Sequence, residues 1–535
     1  MSFDPHAFLA IDHGAATSSV ALIGRVGGAW RLIGALAVPA GAGIDAAIDL
    51  LGRRTTATDP DLAASLAFPD GDAAALPRLE VRSQRPRRLA IVAGSERALT
   101  ALLATAARSG WRASGASVET TDPLAMSRLL LERDVDAILA GAGDPPGPQE
   151  RTAVHELAAL VAAAAVRRPE IPVLLAGAMA DGLGAFGDVS ARPGDVLLGP
   201  AARSGLPGGG PLAVLLAEMA VPAGDPRRAI GPAAQTLADV LDRRIETIVL
   251  GHDASVRVVA APSAGGVEAN ADVAVVAGAA VAPEEPDDVV VDGVLHWSTT
   301  VSDRHRLRDR MRELRIAPWA DAAGEGAALR MAAARAALVR LAAATPEMSA
   351  GPSPDIILTA SGAWSSVPAP AVALALVDVI RRPGASQLAL DHARLLGPLG
   401  SIGDDDERRA VIADLADDLI APLGSIVTPA GLRAGKSAGT LALHGNEGVD
   451  EVDLVPGGLE LVDLAPGQTA IAEFRFRDSV RLGAKGRHFA IDVAGGLGGL
   501  VVDLRDVPLR LPERADRRRD LLAAWQSALW AGSEL

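Results

Sequence analysis

The segment Phe8-Leu9-Ala10-Ile11-Asp12-His13-Gly14-Ala15-Ala16-Thr17-Ser18-Ser19-Val20-Ala21-Leu22-Ile23 constrains the fold more than any other part of the chain. An apolar run ends on a carboxylate, crosses a small turn rich in hydroxyls and resumes as an alternating strand. A β-hairpin takes this form when its turn wraps phosphates or their metal ion. Asp12 suits a hydrated divalent cation, and Gly14 with its neighbouring amides suits close approach to phosphate. An ordinary hairpin in which Asp12 only caps the turn has the same sequence.

A second segment repeats the plan: Ile245-Glu246-Thr247-Ile248-Val249-Leu250-Gly251-His252-Asp253-Ala254-Ser255-Val256-Arg257-Val258-Val259-Ala260. Two such hairpins in one chain suggest a duplicated domain, although hairpins often look alike. With 535 residues, 49% of them hydrophobic, the chain is long enough for two or three domains with sizeable cores.

Strand-like runs at 88–93, 137–141, 172–176 and 246–250 alternate with helical stretches at 96–109, 123–134, 150–167 and 210–220. This alternation predicts parallel strands covered by helices. A short helix is expected over 44–52, and 53–77 is the least regular part of the first half. Residues 324–344 form a helix rich in Ala, Leu, Met and Arg. The strand Asp355-Ile356-Ile357-Leu358-Thr359-Ala360 enters the turn Ser361-Gly362-Ala363 ahead of a helix at about 368–381. A nucleotide can lie at such a turn, which is also an ordinary α/β corner. Beyond 440 the texture becomes mostly β, with Pro-Gly turns at 456–457 and 466–467 and a closing helix at about 517–530. Gly495 to Gly499 reads as tight strand turns.

Composition excludes several function classes. The chain has no cysteine, which removes disulfides, thiolate metal sites and cysteine nucleophiles. A formal charge of -15 argues against general nucleic-acid binding. No basic and apolar leader opens the chain, and the apolar run 153–165 is too short to span a membrane. Cytoplasmic localisation is therefore expected. Lys436 and Lys485 are the sole lysines, and the nine histidines form no zinc signature. Asp404 to Glu407 reads as solvated charge at a helix start. Trp525 and Trp530 read as packing anchors. His13 and Asp12 should point to opposite faces of their strand.

The two hairpins and the late strand–glycine turn, in that order, resemble the actin, sugar-kinase and Hsp70 ATPase superfamily. A closer resemblance is to the MutL or GlmL family associated with adenosylcobalamin-dependent glutamate mutase, distinct from the mismatch-repair protein of that name. It is carried by the opening turn, by Leu388-Ala389-Leu390-Asp391, by Leu396-Gly397-Pro398-Leu399-Gly400 and by Pro422-Leu423-Gly424-Ser425. The tail from Gly495 to Pro512, through Asp503-Leu504-Arg505, carries it most specifically. The resemblance implies an α/β fold of duplicated ribonuclease-H-like domains, at 1–242 and 243–440, with a mostly β C-terminal module at 441–535. It further implies ATP and Mg²⁺ in a cleft lined by Asp12, Gly14, Ala15, Thr17, Gly251, Asp253, Ser255, Ser361 and Gly362. Asp12 would anchor the metal.

The chain departs from the family pattern where chemistry would need it. Ser19 stands where the family has lysine or a comparable polar group. In the second turn the leading carboxylate is replaced by an apolar residue, and the glycine pair near the adenosine position is reduced to Ser361-Gly362. Hydrolysis requires a held divalent ion and a positioned water, so turnover should be weak or absent. Arg257 reads as a solvated surface residue, with phosphate pairing as its alternative. The resemblance implies an accessory or reactivating role toward a protein partner, a cobalamin-dependent mutase subunit. The alternative is a nucleotide-independent scaffold with a degenerate clamp. A small-molecule kinase is a third reading, with Asp144 its best candidate for a catalytic carboxylate.

Overall fold

The computed structural model describes all residues except 1–5, 69, 144–146, 187–195, 201, 203–209, 223, 265–268, 318–323, 361, 365–366, 434–436, 446–447 and 530–535. Its first sheet uses β1 (Ala7–His13), β2 (Thr17–Val26), β3 (Ala29–Pro39) and β4 (Arg78–Arg82) in the order β3-β2-β1-β4. The hairpin partners are antiparallel, β1 and β2 joined as expected at Asp12–Thr17 and β2 and β3 through Gly27-Gly28, whereas β4 runs parallel to β1. Residues 7–11 and 20–23 are buried on both faces of the sheet, which explains their near-continuous apolar run. One covering helix, Ile44–Thr58, extends beyond the expected 44–52.

Within the 1–242 span the chain then builds a separate sheet. Strands β5 (Arg88–Ala93), β6 (Arg112–Ser117), β7 (Ala137–Gly141), β8 (Val173–Ala176) and β9 (Val196–Gly199) pair in parallel in the order β6-β5-β7-β8-β9. This is a doubly wound arrangement inserted after β4. Its two chain connections are clamped together: Asp225 accepts from the Gln84 amide at 3.0 Å, and Arg227 donates to the Gln84 carbonyl at 2.8 Å. Asp225 also caps the helix Pro226–Leu241, which leads into the second lobe.

That lobe starts with β10 (Ile245–Val249), β11 (Ser255–Ala260), β12 (Asp272–Val276), β13 (Ile356–Ala360), β14 (Gly384–Leu390) and β15 (Ala421–Thr428). The tail adds β16 (Gly439–Gly445), β17 (Gly448–Leu454), β18 (Leu459–Val462), β19 (Thr469–Leu482), β20 (Ala484–Ala494) and β21 (Leu500–Asp503). The second-lobe sheet reads β12-β11-β10-β13-β14-β15-β21-β18, while β17-β16-β19-β20 forms a sheet of its own. The closing helix, Ala515–Leu529, buries Trp525 as expected; Trp530 lies outside the described residues.

The β12-β11-β10-β13 pairing repeats the strand directions of the first sheet, with two antiparallel partners followed by a parallel strand. The chain therefore has a duplicated ribonuclease-H-like α/β fold, with a mostly β C-terminal region. The segment 396–419 crosses back to the first lobe, where Asp414 accepts from the Trp30 amide at 2.9 Å. One apolar cluster runs through Phe8 and Ala21, Ile91 of the insert, Leu237, Val256 of the second lobe and Leu415. Among the described residues, no helix is long and apolar enough to cross a membrane.

Candidate functional site

The two hairpins are built alike. Asp12 pairs with Ser19 across the first, and Val249 pairs with Val256 across the second. A Cβ on Gly14 would lie 2.5 Å from the Thr17 carbonyl, and one on Gly251 would lie 2.2 Å from the Ala254 carbonyl. Both turns thus fold the chain onto itself too tightly for a side chain at the glycine. In this register Val249 occupies the place of Asp12, so the missing second carboxylate is an apolar strand residue.

The hairpins face each other across one cleft. Asp12, Gly14, Ala15 and Thr17 line it from the first lobe, with Gly251, Asp253 and Gly362 on the opposite side. Ser255 is fully buried, does not line the cleft and donates to the Ala279 carbonyl at 2.6 Å. Ser361 and Asp144 lie outside the described residues.

An arginine that the sequence reading passed over fills the centre. Arg394 follows β14 in the second lobe and has a left-handed backbone, φ 56°. Its guanidinium donates to the Thr17 carbonyl at 3.1 Å, the Thr17 hydroxyl at 3.0 Å and the Asp12 carbonyl at 3.1 Å. The Asp12 carboxylate lies 3.5 Å away. Nearby, the Ser19 hydroxyl donates to the Ala393 carbonyl at 2.8 Å. The position expected to substitute for a lysine therefore ties the lobes together through its hydroxyl.

The remaining charges are also engaged. Burial raises the pKa of Asp12, opposed by Arg394 and His13. One Asp12 oxygen, Oδ1, is buried with no hydrogen-bond partner. Asp253 takes a forked pair from Arg315 at 2.5 and 3.1 Å. Burial opposes the Arg315 charge, but the Asp253 contacts outweigh it and hold that guanidinium above its ordinary range. Burial, reinforced by Arg315, pushes His252 down to about 4, leaving it neutral at physiological pH. Asp391 accepts from the Leu395 and Leu396 amides at 2.9 Å each, and burial pushes its pKa up to about 6.

Arg257 corrects the sequence reading: it is fully buried, not solvated. It pairs with Glu246 at 2.8 Å and donates to the Thr345 hydroxyl at 2.8 Å. The segment after helix Gly324–Ala344 covers the face that an isolated strand would leave to water. Arg257 is therefore far from any phosphate role at the cleft, which it does not line.

The cleft does not fit a nucleotide as it stands. Its volume is about 80 Å³, against several hundred for ordinary small-molecule sites, which leaves space for a few waters. A Cβ on Gly362 would lie 2.1 Å from the Thr17 hydroxyl, so the lobes already touch. Among the described residues, Asp12 is the one cleft carboxylate with an unpaired oxygen, and the cation beside it is supplied by the protein itself.

No family model and no curated protein matches the sequence. Among solved structures, the chain is similar to a PPX-GPPA enzyme of Aquifex aeolicus at 8% identity and a TM-score of 0.20. That match covers 77% of this chain and 91% of the other. The type II variant of the Aquifex aeolicus Ppx/GppA phosphatase gives 8% identity, 77% and 90% coverage and a TM-score of 0.19. At such scores neither match carries weight for function, and the fold rests on the strand order and the paired hairpins.

Proposed function

We propose that the protein is an accessory factor of the GlmL type, acting in the cytoplasm on a protein partner, with its interlobe cleft closed by Arg394 in place of Mg-nucleotide. The resemblance implies a cobalamin-dependent mutase subunit as that partner. One observation carries the closed-clamp reading: a second-lobe guanidinium bonded to the first-lobe phosphate hairpin. The resemblance implies a metal–phosphate unit between the lobes; here Arg394 supplies positive charge beside Asp12 without a ligand. The other two cleft carboxylates are engaged as well, Asp253 by Arg315 and Asp391 by the Leu395 and Leu396 amides.

The test is titration of the full chain with Mg-ATP and Mg-ADP, followed by calorimetry and thermal unfolding. The expected result is no saturable heat and no shift of the melting temperature. A saturable shift of several degrees would overturn the reading. Copurification with the mutase tests the partner separately.

A second reading, that the clamp still accepts ATP and Mg²⁺ after opening, is favoured by the unpartnered Asp12 Oδ1. Asp12 would then hold the ion through water. In that case Arg394→Ala should bind Mg-ATP more tightly than the parent chain, and Asp12→Ala should abolish that gain.

A further inference from the structure

A groove of about 850 Å³ lies between the second lobe and the tail, and it shares no lining residue with the interlobe cleft. Arg381 and Arg382 lie on one side, Arg481 of the tail sheet on another, and Trp297, Pro508 and Leu509 give it apolar surface. Its volume falls within the range of small-molecule sites.

The charge beneath this groove is unbalanced. Asp378 accepts from Arg335 at 2.6 Å and from Arg505 at 2.7 Å. Asp503 accepts from Arg505 at 2.8 Å and also from Arg381. Glu246 is shared by Arg257 and Arg382, each at 2.8 Å. Among the described residues, then, five buried or nearly buried guanidinium groups share three carboxylates. Uncompensated charge in an interior is costly, and a nearby anion relieves it. Arg381 and Arg382 each retain a buried Nε without a hydrogen-bond partner. Burial also pulls both below the usual arginine range, despite Asp503 and Glu246.

We propose that this groove binds a small organic oxyanion, a phosphate- or carboxylate-bearing molecule with an apolar part. Arg381 and Arg382 supply positive charge at the groove wall, although their guanidinium groups also donate to the Val377, Arg505, Pro352 and Met348 carbonyls, and the Trp297, Pro508 and Leu509 surface takes the apolar part. Arg481 is exposed and adds attraction at the tail side. The site goes beyond the accessory role proposed above and does not depend on the state of the clamp.

The test is calorimetry of the full chain with pyrophosphate and, separately, citrate, at constant ionic strength maintained with chloride. Saturable binding of either anion is expected, and the preferred one identifies the oxyanion class. Arg382→Gln should weaken it by at least about tenfold. Arg481→Glu, an exposed change outside the buried network, should weaken it by about threefold or more without altering the fold. If Arg382→Gln fails to fold, Arg481→Glu decides. Absence of saturable heat at millimolar concentrations of both anions would overturn the proposal, as would unchanged affinity in Arg481→Glu.

Discussion

Arg394 of the second lobe donates to both the carbonyl and the hydroxyl of Thr17 in the first, at 3.1 and 3.0 Å. This contact bridges the two lobes. It is covalently part of the chain, so it is present at every ligand concentration.

Arg394→Ala removes these bonds and leaves Asp12 without its nearest cation. Hydrogen bonds to a charged group contribute about 1.5–3 kcal/mol each at most, and they are not additive. The expected outcome is a loss of about 2–4 kcal/mol in local protection of the 12–19 hairpin. Hydrogen exchange at the amides of that hairpin, compared with those of β5–β8, measures it.

Gly362 and Thr17 form a second pair. Gly362→Ala would drive its methyl into the Thr17 hydroxyl, and forced overpacking of this kind costs about 1–3 kcal/mol. Thr17→Ala deletes the obstructing oxygen. In a double-mutant cycle the two changes should compensate each other by about 1–2 kcal/mol, read from thermal or denaturant unfolding. Additivity within experimental error would disprove the contact.

Two cleft residues act oppositely on pH dependence. His252 titrates at about 4 when folded and 6.5 in its reference state, so acidification through that interval favours the unfolded chain. The full effect is about 3 kcal/mol. Asp391 titrates at about 6 when folded against 3.8, so the folded chain holds its proton longer and acidification from 6 toward 4 favours folding. Its effect is about 3 kcal/mol in the other direction. His252→Asn should therefore flatten the loss on acidification, and Asp391→Asn should steepen it. Unfolding midpoints at pH 4, 5 and 6.5 compare them.

Glu246 is shared by two arginines, whereas Arg257 has one carboxylate partner and two hydroxyl acceptors. Glu246→Gln strands two buried cations, and Arg257→Met leaves Glu246 still paired with Arg382. Breaking a buried pair costs about 3–5 kcal/mol, and the glutamate change should reach that range while the arginine change falls below it. Thermal scans of both variants give the order.

Much of this was legible in the residues. The strands at 88–93 and 137–141 were readable because they are short apolar runs buried on both faces. The two hairpins announced the duplication through their matched turns. Strand β6 was not readable: Arg-Ala-Ser-Gly-Ala-Ser lacks both alternation and β-branched residues, and its place comes from pairing with β5. The helix Pro226–Leu241 was hidden by Pro226 and Pro232, although a proline in the first turn is favourable and the interior one is tolerated in a packed helix.

In the site, Asp12, Gly14, Thr17 and Gly251 carried local signals, since turn geometry restricts residue type. Arg394 carried none. Its role depends on a left-handed backbone at one position and on a lobe nearly four hundred residues away in sequence. Arg257 was misread for the same reason, because period-two alternation cannot reveal what covers the outer face of a strand.

The apolar cluster that runs from Phe8 through Ile91 and Leu237 to Val256 and Leu415 has a mechanical consequence. Prying the lobes apart along it would wet side chains from the first lobe, the insert and the second lobe at once, at a cost that grows with the area uncovered. Small rotations about the cleft preserve that contact; a wide gape does not. The molecule is therefore stiff against jaw-like opening, and a partner that grips it would feel a rigid body with one sprung catch rather than a hinge.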